Sequence, residues 1–122
     1  CLTLLEPTTG RLRVANAGHL PPLVVSGTGT AAYVDVDGPL LGLGLERPAP
    51  TEVPLGRGDR LLMVTDGLIE KPGQDISVGI DKLLGEAERL VTKGFRHGAR
   101  KLIDRVAAAV NDDRAVVLIW RD

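Results

Sequence analysis

Acidic residues beside two apolar segments are the side chains of this chain best suited to chemistry. Asp66 and Gly67 end one long apolar run, and Asp112 and Asp113 precede another, 115–120. Carboxylate oxygens are the ligands that hard divalent ions prefer, and two adjacent carboxylates repel each other unless a cation or a helix N-terminus is near. Turn capping by Asp66 and simple solvation of Asp112 and Asp113 are the structural alternatives. If the two runs are neighbouring strands of one sheet, Asp66 and Asp112 can converge on one ion.

Strands account for most of the first 65 residues. The turn residues at 7–10 and 26–30 predict hairpins, and the alternation of Leu12 and Val14 with arginines predicts a sheet with one wet side. The continuous apolar run that ends before Asp66 is typical of a strand buried on both faces. The predicted strands are 1–6, 11–17, 22–26, 31–36, 51–54, 60–65 and, near the chain's end, 114–120. The Gly/Pro-rich segment 38–50 is predicted to be a loop and not a phosphate cradle, because it does not lead from a strand into a helix.

Helical spacing of apolar residues begins after residue 75. Ser77 is a candidate N-cap and Gly94 a stop signal for the first helix. Strands first, helices later and a closing strand predict an α+β fold in one domain over residues 1–122. Two apolar stripes are expected to pack on a sheet: Ile80, Leu83, Leu84, Ala87, Leu90 and Val91 in the first helix, and Ala99, Leu102, Ile103, Val106, Ala107 and Val110 in the second.

Composition excludes several classes of protein. A net charge of −1 leaves no broad basic face for nucleic acid, and 2% aromatic residues leave no platform on which bases could stack. No apolar stretch reaches the roughly 18–20 residues of a membrane span. Cys1 is the single cysteine, so no disulfide framework or cysteine-rich zinc site is expected. A cytoplasmic location is the default expectation.

Four motifs in order carry a family resemblance. They are Asn-Ala-Gly-His-x-Pro-Pro at 16–22, Pro-Leu-Leu-Gly at 39–42, Thr-Asp-Gly-Leu-x-Glu at 65–70 and Asp-Asp-Arg-Ala at 112–115. Together they make the chain resemble the bacterial stage II sporulation protein E-like phosphatases, a branch of the PP2C-type metal-dependent protein phosphatases. The resemblance runs over nearly the whole chain.

The resemblance implies the C-terminal part of a four-layer α-β-β-α sandwich with antiparallel sheets. Members of the family carry further metal-binding acidic residues in an Asp-x-x-Gly-x-Gly-like segment that precedes these motifs, and this chain lacks it. We therefore expect a partial phosphatase domain whose N-terminal portion is absent. This portion alone is expected to be inactive.

The implied reaction is hydrolysis of phosphoserine or phosphothreonine by a water that two Mn²⁺ or Mg²⁺ ions activate in the complete domain. No protein nucleophile is needed. By the resemblance, Asp66 and Asp112 are metal ligands, and Asp113 is a neighbour of the ligand Asp112. Gly67 lets the chain turn away sharply, and Thr65 can hydrogen-bond beside the metal site.

His19 and Asn16 have open roles at this stage. His19 can bind phosphate, donate a proton or touch the metal site, or it can only bond backbone within its turn. Asn16 is expected to fix the geometry of the same loop. Glu70 can hold a metal-bound water or form a salt bridge with an arginine, and the salt bridge is favoured.

The resemblance also implies a phosphorylated regulatory protein as the substrate, often an anti-sigma-factor antagonist in a bacterial partner-switching pathway. An upstream sensor domain is compatible with this setting. A non-catalytic scaffold that binds such a regulator is the second hypothesis, and a metal-independent structural fragment is the third.

Overall fold

The computed structural model describes residues 1–93, 97–106 and 112–122. Within these ranges the chain forms seven strands, one short 3-10 turn and two α-helices. The strands are β1 (Leu2–Glu6), β2 (Arg11–Ala15), β3 (Leu23–Val25), β4 (Ala31–Tyr33), β5 (Thr51–Pro54), β6 (Arg60–Val64) and β7 (Val116–Trp120). The 3-10 turn is Asp66–Leu68, and the helices are α1 (Ile76–Thr92) and α2 (Gly98–Val106).

The strands form two antiparallel sheets. One sheet has the order β1-β2-β5, and the other has the order β4-β3-β6-β7. In the second sheet β6 and β7 are neighbours, with Arg60 opposite Trp120 and Val64 opposite Val116. The chain therefore places the end of β6 beside the start of β7, although Val64 and Val116 are 52 positions apart.

Two hydrophobic cores hold three layers together. The core between the two sheets is built from Leu12, Val14, Val34, Leu55 and Leu61. The core between the four-stranded sheet and the helices is larger, because both helices contribute to it: Leu23, Val25, Leu62, Val64, Leu68, Ile69, Leu83, Ala87, Leu90, Leu102 and Val106. The predicted α+β class with antiparallel sheets is confirmed, and the chain supplies both sheets and one helix layer of the sandwich.

Strand β6 is buried on both of its faces, as its continuous apolar sequence predicted. Leu61 packs into the core between the sheets, whereas Leu62 and Val64 pack into the core beneath the helices. The rigid centre of the fold therefore runs directly into Asp66. This is the geometry that fixes a functional side chain best, since a strand packed on both sides cannot shift without disturbing two cores.

Several predicted strands are longer than the observed ones, and β2 shows the physical reason. The prediction was 11–17, whereas β2 ends at Ala15. The side chain of Asn16 bonds the backbone N–H groups of Ala17 and His19, and a side chain that satisfies nearby backbone groups competes with a sheet ladder.

Helix α1 begins earlier in the chain than predicted. Ser77 was the expected N-cap, but the cap is Asp75, whose carboxylate accepts a hydrogen bond of 2.9 Å from the Ser77 N–H. Aspartate is as good an N-cap as serine, and its charge also interacts favourably with the helix N-terminus. The predicted stop at Gly94 and the stripe residues Ala107 and Val110 lie outside the described residues.

Removing the Asp75 cap is expected to destabilise helix α1 in a pH-dependent way. The hydrogen bond from Ser77 lowers the pKa of Asp75 below its ordinary value of 3.8. Since the folded-state pKa is depressed, the stabilisation is present above the unfolded-state pKa and is lost as the pH falls through the folded-state value. Thermal unfolding of Asp75→Ala should therefore occur below the wild-type temperature at pH 7, and this difference should shrink under strongly acidic conditions. A pH-independent difference would contradict the cap.

The helix layer is tied to the sheet by a half-buried tyrosine as well as by apolar contacts. The Tyr33 hydroxyl on β4 donates a 2.8 Å hydrogen bond to the Ile80 carbonyl of α1. Burial, with a smaller contribution from Asp81, raises the pKa of Tyr33 to about 12. The hydroxyl therefore keeps the proton that it donates throughout the neutral pH range.

Arg121 connects several segments at the end of the sandwich opposite Asp66. Arg121 donates to the carbonyl oxygens of Pro7, Thr8 and Leu55 at 3.0–3.1 Å. These contacts tie the chain's end to the turns that precede β2 and β6.

No helix among the described residues combines the length and the apolar character that crossing a membrane requires.

Candidate metal centre

The antiparallel pairing of β6 and β7 brings the two predicted acidic sites to one sheet edge. Val64 and Val116 are the last paired residues of the two strands. Asp66 follows the first strand by two residues, and Asp112 and Asp113 precede the second. The condition that the sequence set for a shared site, neighbouring strands in one sheet, is therefore met.

Thr65 clamps the segment that carries Asp112 and Asp113. Its backbone N–H donates to the Ala115 carbonyl at 3.1 Å, and its hydroxyl accepts from the Ala115 N–H at 2.9 Å. The same hydroxyl donates to the Asp113 carbonyl at 3.1 Å. Thr65 thus continues the hydrogen bonding between β6 and β7 beyond the ends of the two strands, and it fixes the two acidic segments relative to each other.

Gly67 leaves the space in which the two segments meet. A Cβ at this position would collide with the Asp113 carbonyl oxygen and would lie 3.2 Å from both Cβ and Cγ of Asp112. Gly67 lies in the 3-10 turn Asp66–Leu68, where the chain turns away from β6 as predicted, but it does so without a positive φ. The residue is glycine because the backbone of the partner segment approaches it too closely for any side chain.

The two candidate ligands present their carboxylates in the same way. Asp66 Oδ1 accepts from the Gly67 N–H at 2.8 Å, and Asp112 Oδ1 accepts from the Asp113 N–H at 2.7 Å. Both residues are exposed, and no described residue hydrogen-bonds to either Oδ2. Each carboxylate is therefore oriented by backbone and keeps one oxygen for a ligand.

The loop of residues 16–20 forms the other wall of the site. Asn16 is 5% exposed, and its side chain bonds the backbone of His19 twice: Nδ2 donates to the carbonyl at 2.7 Å, and Oδ1 accepts from the N–H at 3.1 Å. Oδ1 also accepts from Ala17 at 2.9 Å. This is the loop-fixing role expected of Asn16.

His19 faces the acidic segment across a cavity. Its Nδ1 lies 2.8 Å from the Leu20 carbonyl oxygen, which only accepts, so Nδ1 donates this hydrogen bond. The sequence did not establish that His19 shares a cavity with Asp66. This His19–Asp66 cavity has a volume of about 340 Å³ and is lined by Gly18, His19, Leu20, Pro21, Thr65, Asp66 and Ile76.

Other predicted residues are placed less favourably for chemistry. Glu70 is exposed, and within the described ranges it forms no ion pair, so the favoured salt bridge with an arginine is not found. Its backbone N–H donates to the Asp66 carbonyl and so helps to close the turn. The 38–50 segment is a loop, as predicted.

The carboxylates fit part of a site for a hard divalent ion. Mg²⁺ is commonly held by one or two carboxylates, with waters and phosphate oxygens completing the shell, and the two Oδ2 atoms provide two such ligands. Among the described residues, no group of three or more His, Cys, Asp or Glu side chains is arranged to hold a metal ion. The donor set therefore suits Mn²⁺ or Mg²⁺ and leaves most of the coordination shell to other groups.

Arg47 contacts this region and was missed by the sequence reasoning. Its guanidinium reaches from the 38–50 loop to the Asn16 carbonyl oxygen. The only signal in the sequence was a charged residue inside a Gly/Pro-rich loop, which ordinarily indicates a solvated side chain.

Comparisons with known proteins identify the family and the fold. The family model described as stage II sporulation protein E (SpoIIE) matches residues 1–122. The crystal structure of the RsbU and RsbW domains of Rv1364c from Mycobacterium tuberculosis is 30% identical, with a TM-score of 0.86, over 98% of this chain and 35% of that chain. The phosphatase domain of the cell fate determinant SpoIIE from Bacillus subtilis is 19% identical, with a TM-score of 0.68, over 99% of this chain and 57% of that chain. A Mn-presoaked form of the same domain is 20% identical, with a TM-score of 0.68, over 99% and 55%.

Proposed function

We propose a function for this chain on the premise that it belongs to the stage II sporulation protein E (SpoIIE) family. The proposed activity is hydrolysis of phosphoserine or phosphothreonine on a regulatory protein, with Mn²⁺ or Mg²⁺ as cofactor. The chain spans 35–57% of the length of the similar structures, so the activity proposed is that of the full-length gene product. Two ions are proposed for the complete site.

One observation carries the proposal. The β6–β7 pairing and the Thr65 clamp hold Asp66 and the Asp112 segment at one sheet edge, and Gly67 leaves room for their close approach. Two exposed carboxylates that a doubly buried strand and a threonine clamp hold at one sheet edge are more than a purely structural fragment requires. This supports the enzyme over the metal-independent structural hypothesis.

The residues of the site have separable proposed roles. Asp66 Oδ2 and Asp112 Oδ2 would hold an ion, which when bound supplies positive charge for the phosphoryl oxygens and activates water. Asp113 positions Asp112 through its backbone, since its N–H binds one carboxylate oxygen and its carbonyl accepts from Thr65. His19, which lines the wall of the cavity opposite Asp66, would contact the phosphate group or a water molecule.

A protein substrate is proposed from the same family membership. The Mycobacterium tuberculosis protein combines an RsbU domain with an RsbW domain, which favours a partner-switching setting and an anti-sigma-factor antagonist as the phosphoprotein. The setting would be cytoplasmic. An upstream sensor domain belongs to the same proposal.

A non-catalytic scaffold is the second candidate. The observation that favours it is that the described residues supply only two carboxylates and no cluster of three metal-ligating side chains. Such a protein would bind the phosphorylated regulator without hydrolysing it. Binding of the regulator that does not depend on Mn²⁺, without release of phosphate, would identify this function.

Metal dependence of phosphate release tests the proposal. The full-length gene product, stripped with EDTA and supplied again with Mn²⁺, is expected to hydrolyse para-nitrophenyl phosphate and a phosphoserine peptide. The chain of residues 1–122 alone is expected to show no turnover, since it supplies two carboxylates for a site that needs more oxygen ligands. A folded full-length protein that releases no phosphate at any Mn²⁺ concentration would contradict the enzyme and favour the scaffold.

A further inference from the structure

The 38–50 loop is hydrogen-bonded to the 16–20 loop through Arg47 and Gly38. Arg47 Nη2 donates to the Asn16 carbonyl oxygen at 2.6 Å, and Nη1 donates to the Pro39 carbonyl at 2.9 Å. Beside them the Gly18 N–H donates to the Gly38 carbonyl at 3.1 Å. The planar guanidinium therefore bridges two backbone oxygens from different loops, a geometry that a lysine ammonium reproduces poorly.

Asn16, the residue that Arg47 contacts, is also the residue that holds His19. Arg47 binds the backbone carbonyl of Asn16, and the side chain of Asn16 binds both the N–H and the carbonyl of His19. Because Asn16 is almost fully buried, a shift of its backbone cannot be absorbed by a free side chain. The position of His19 at the His19–Asp66 cavity thus depends on a guanidinium that lies on the protein surface.

Gly38 gives independent support for the importance of this contact. A Cβ at Gly38 would collide with the Asn16 carbonyl oxygen and would lie 3.5 Å from Arg47 Nη2. The 38–50 loop therefore carries a residue without a side chain at the point where Arg47 must reach Asn16. Two residues of one loop, nine positions apart, serve the same contact.

We propose that Arg47 is a positioning residue for the reaction, which acts by fixing Asn16 and through it His19 at the wall of the cavity opposite Asp66. This inference rests on the proposed phosphatase function. It predicts that Arg47 influences turnover and leaves the metal ligands untouched, since Asp66 and Asp112 are held by β6, β7 and Thr65 instead.

Kinetics of matched variants of the full-length gene product test the role. Arg47→Ala is expected to lower kcat for para-nitrophenyl phosphate by about tenfold to a hundredfold, the scale of a small misplacement of a functional group. Gly38→Ala, which attacks the same contact from the other side, should lower kcat similarly, and Arg47→Lys should restore part of the loss. The Mn²⁺ concentration for half-maximal activity should stay within about twofold of wild type in all three, because a positioning loss is separate from metal binding.

Arg57→Ala is the control, and it separates the possible failures. Arg57 is also exposed and donates to a single carbonyl, that of Asp122, at the opposite end of the sandwich, so its kcat should equal that of wild type. An active wild type with unchanged kcat in Arg47→Ala and Gly38→Ala would overturn the positioning role alone. A parallel loss of kcat and Mn²⁺ affinity would overturn it in favour of a general structural role. A wild type without Mn²⁺-dependent turnover would overturn the proposed function and this role together.

Discussion

Replacing Asp66 by Asn is expected to abolish Mn²⁺-dependent phosphate release by the full-length gene product while leaving its fold intact. The amide keeps an oxygen that can accept from the Gly67 N–H, as Oδ1 of Asp66 does at 2.8 Å, so the turn should be preserved. The charge and the second carboxylate oxygen are lost. Since removal of groups that only orient metal ligands already costs roughly 10–100-fold, loss of a ligand should cost at least about a hundredfold in kcat/KM. Steady-state kinetics with a Mn²⁺ titration measure this directly.

The control for Asp66→Asn is a carboxylate far from the site. Asp104 on α2 is exposed and pairs with Arg100 at 3.6 Å, and an exposed pair of this kind contributes little to stability. Asp104→Asn should keep wild-type kinetics. If Asp66→Asn retained wild-type turnover and Mn²⁺ dependence, the assignment of Asp66 as a metal ligand would be wrong.

Gly67→Ala is expected to have the second largest effect, through sterics rather than backbone strain. The new methyl group would collide with the Asp113 carbonyl and press on Asp112 at 3.2 Å, and forcing an extra carbon into a closely packed site costs about 1–3 kcal/mol. The Thr65 clamp and the Asp112 carboxylate should both move. We expect a lower free energy of unfolding and, in addition, a Mn²⁺ affinity weakened by about tenfold or more, measured by denaturant unfolding and by calorimetry.

The matched variant is Gly85→Ala in helix α1. A Cβ at Gly85 meets no atom within 4 Å, and alanine in place of glycine inside a helix stabilises by about 0.5–1 kcal/mol. The same chemical change should therefore raise stability at one position and lower it at the other. Gly67→Ala with wild-type stability and Mn²⁺ affinity would show that the two acidic segments do not need their close approach.

The parts of the fold that follow from a repeating apolar pattern could be predicted from the sequence. Strand β6 was recognised from its unbroken apolar run, and both helices were recognised from their stripes, because burial imposes these patterns over many residues. Leu12 and Val14 were assigned to one face of β2 by simple alternation and are both fully buried. Pairing of β6 with β7 was the condition stated for a shared site, and the register Val64 to Val116 meets it.

The parts that depend on single contacts could not be predicted. The purpose of Gly67 is a close approach by a segment more than 40 residues away in the chain, which leaves no local trace in the sequence. The end of β2 is set by the side chain of Asn16, and the role of Arg47 depends on where two loops happen to lie. The exchange of Ser77 for Asp75 as the cap is a smaller error of the same kind, since both residue types are good caps.

The candidate site also has one part that could be predicted from the sequence and one part that could not. Asp66 and Asp112 were proposed from residue type and from their places at the ends of apolar runs, and the topology brings their segments together. The arrangement of His19 across a cavity from Asp66 needed the structure, because the 16–20 loop and β6 are far apart in the chain. The placement of residues at the strand ends was therefore predictable, whereas the second wall of the candidate site was not.

A double-mutant cycle on Mn²⁺ binding tests most directly whether Asp66 and Asp112 hold one ion. The affinity of the full-length gene product is measured by calorimetry for wild type, Asp66→Asn, Asp112→Asn and the double variant. Each single change should weaken binding, and the double variant should be little weaker than the worse single variant, with a coupling free energy above about 0.5 kcal/mol. Effects that add within about 0.3–0.5 kcal/mol, or no effect of either change, would contradict a shared metal centre.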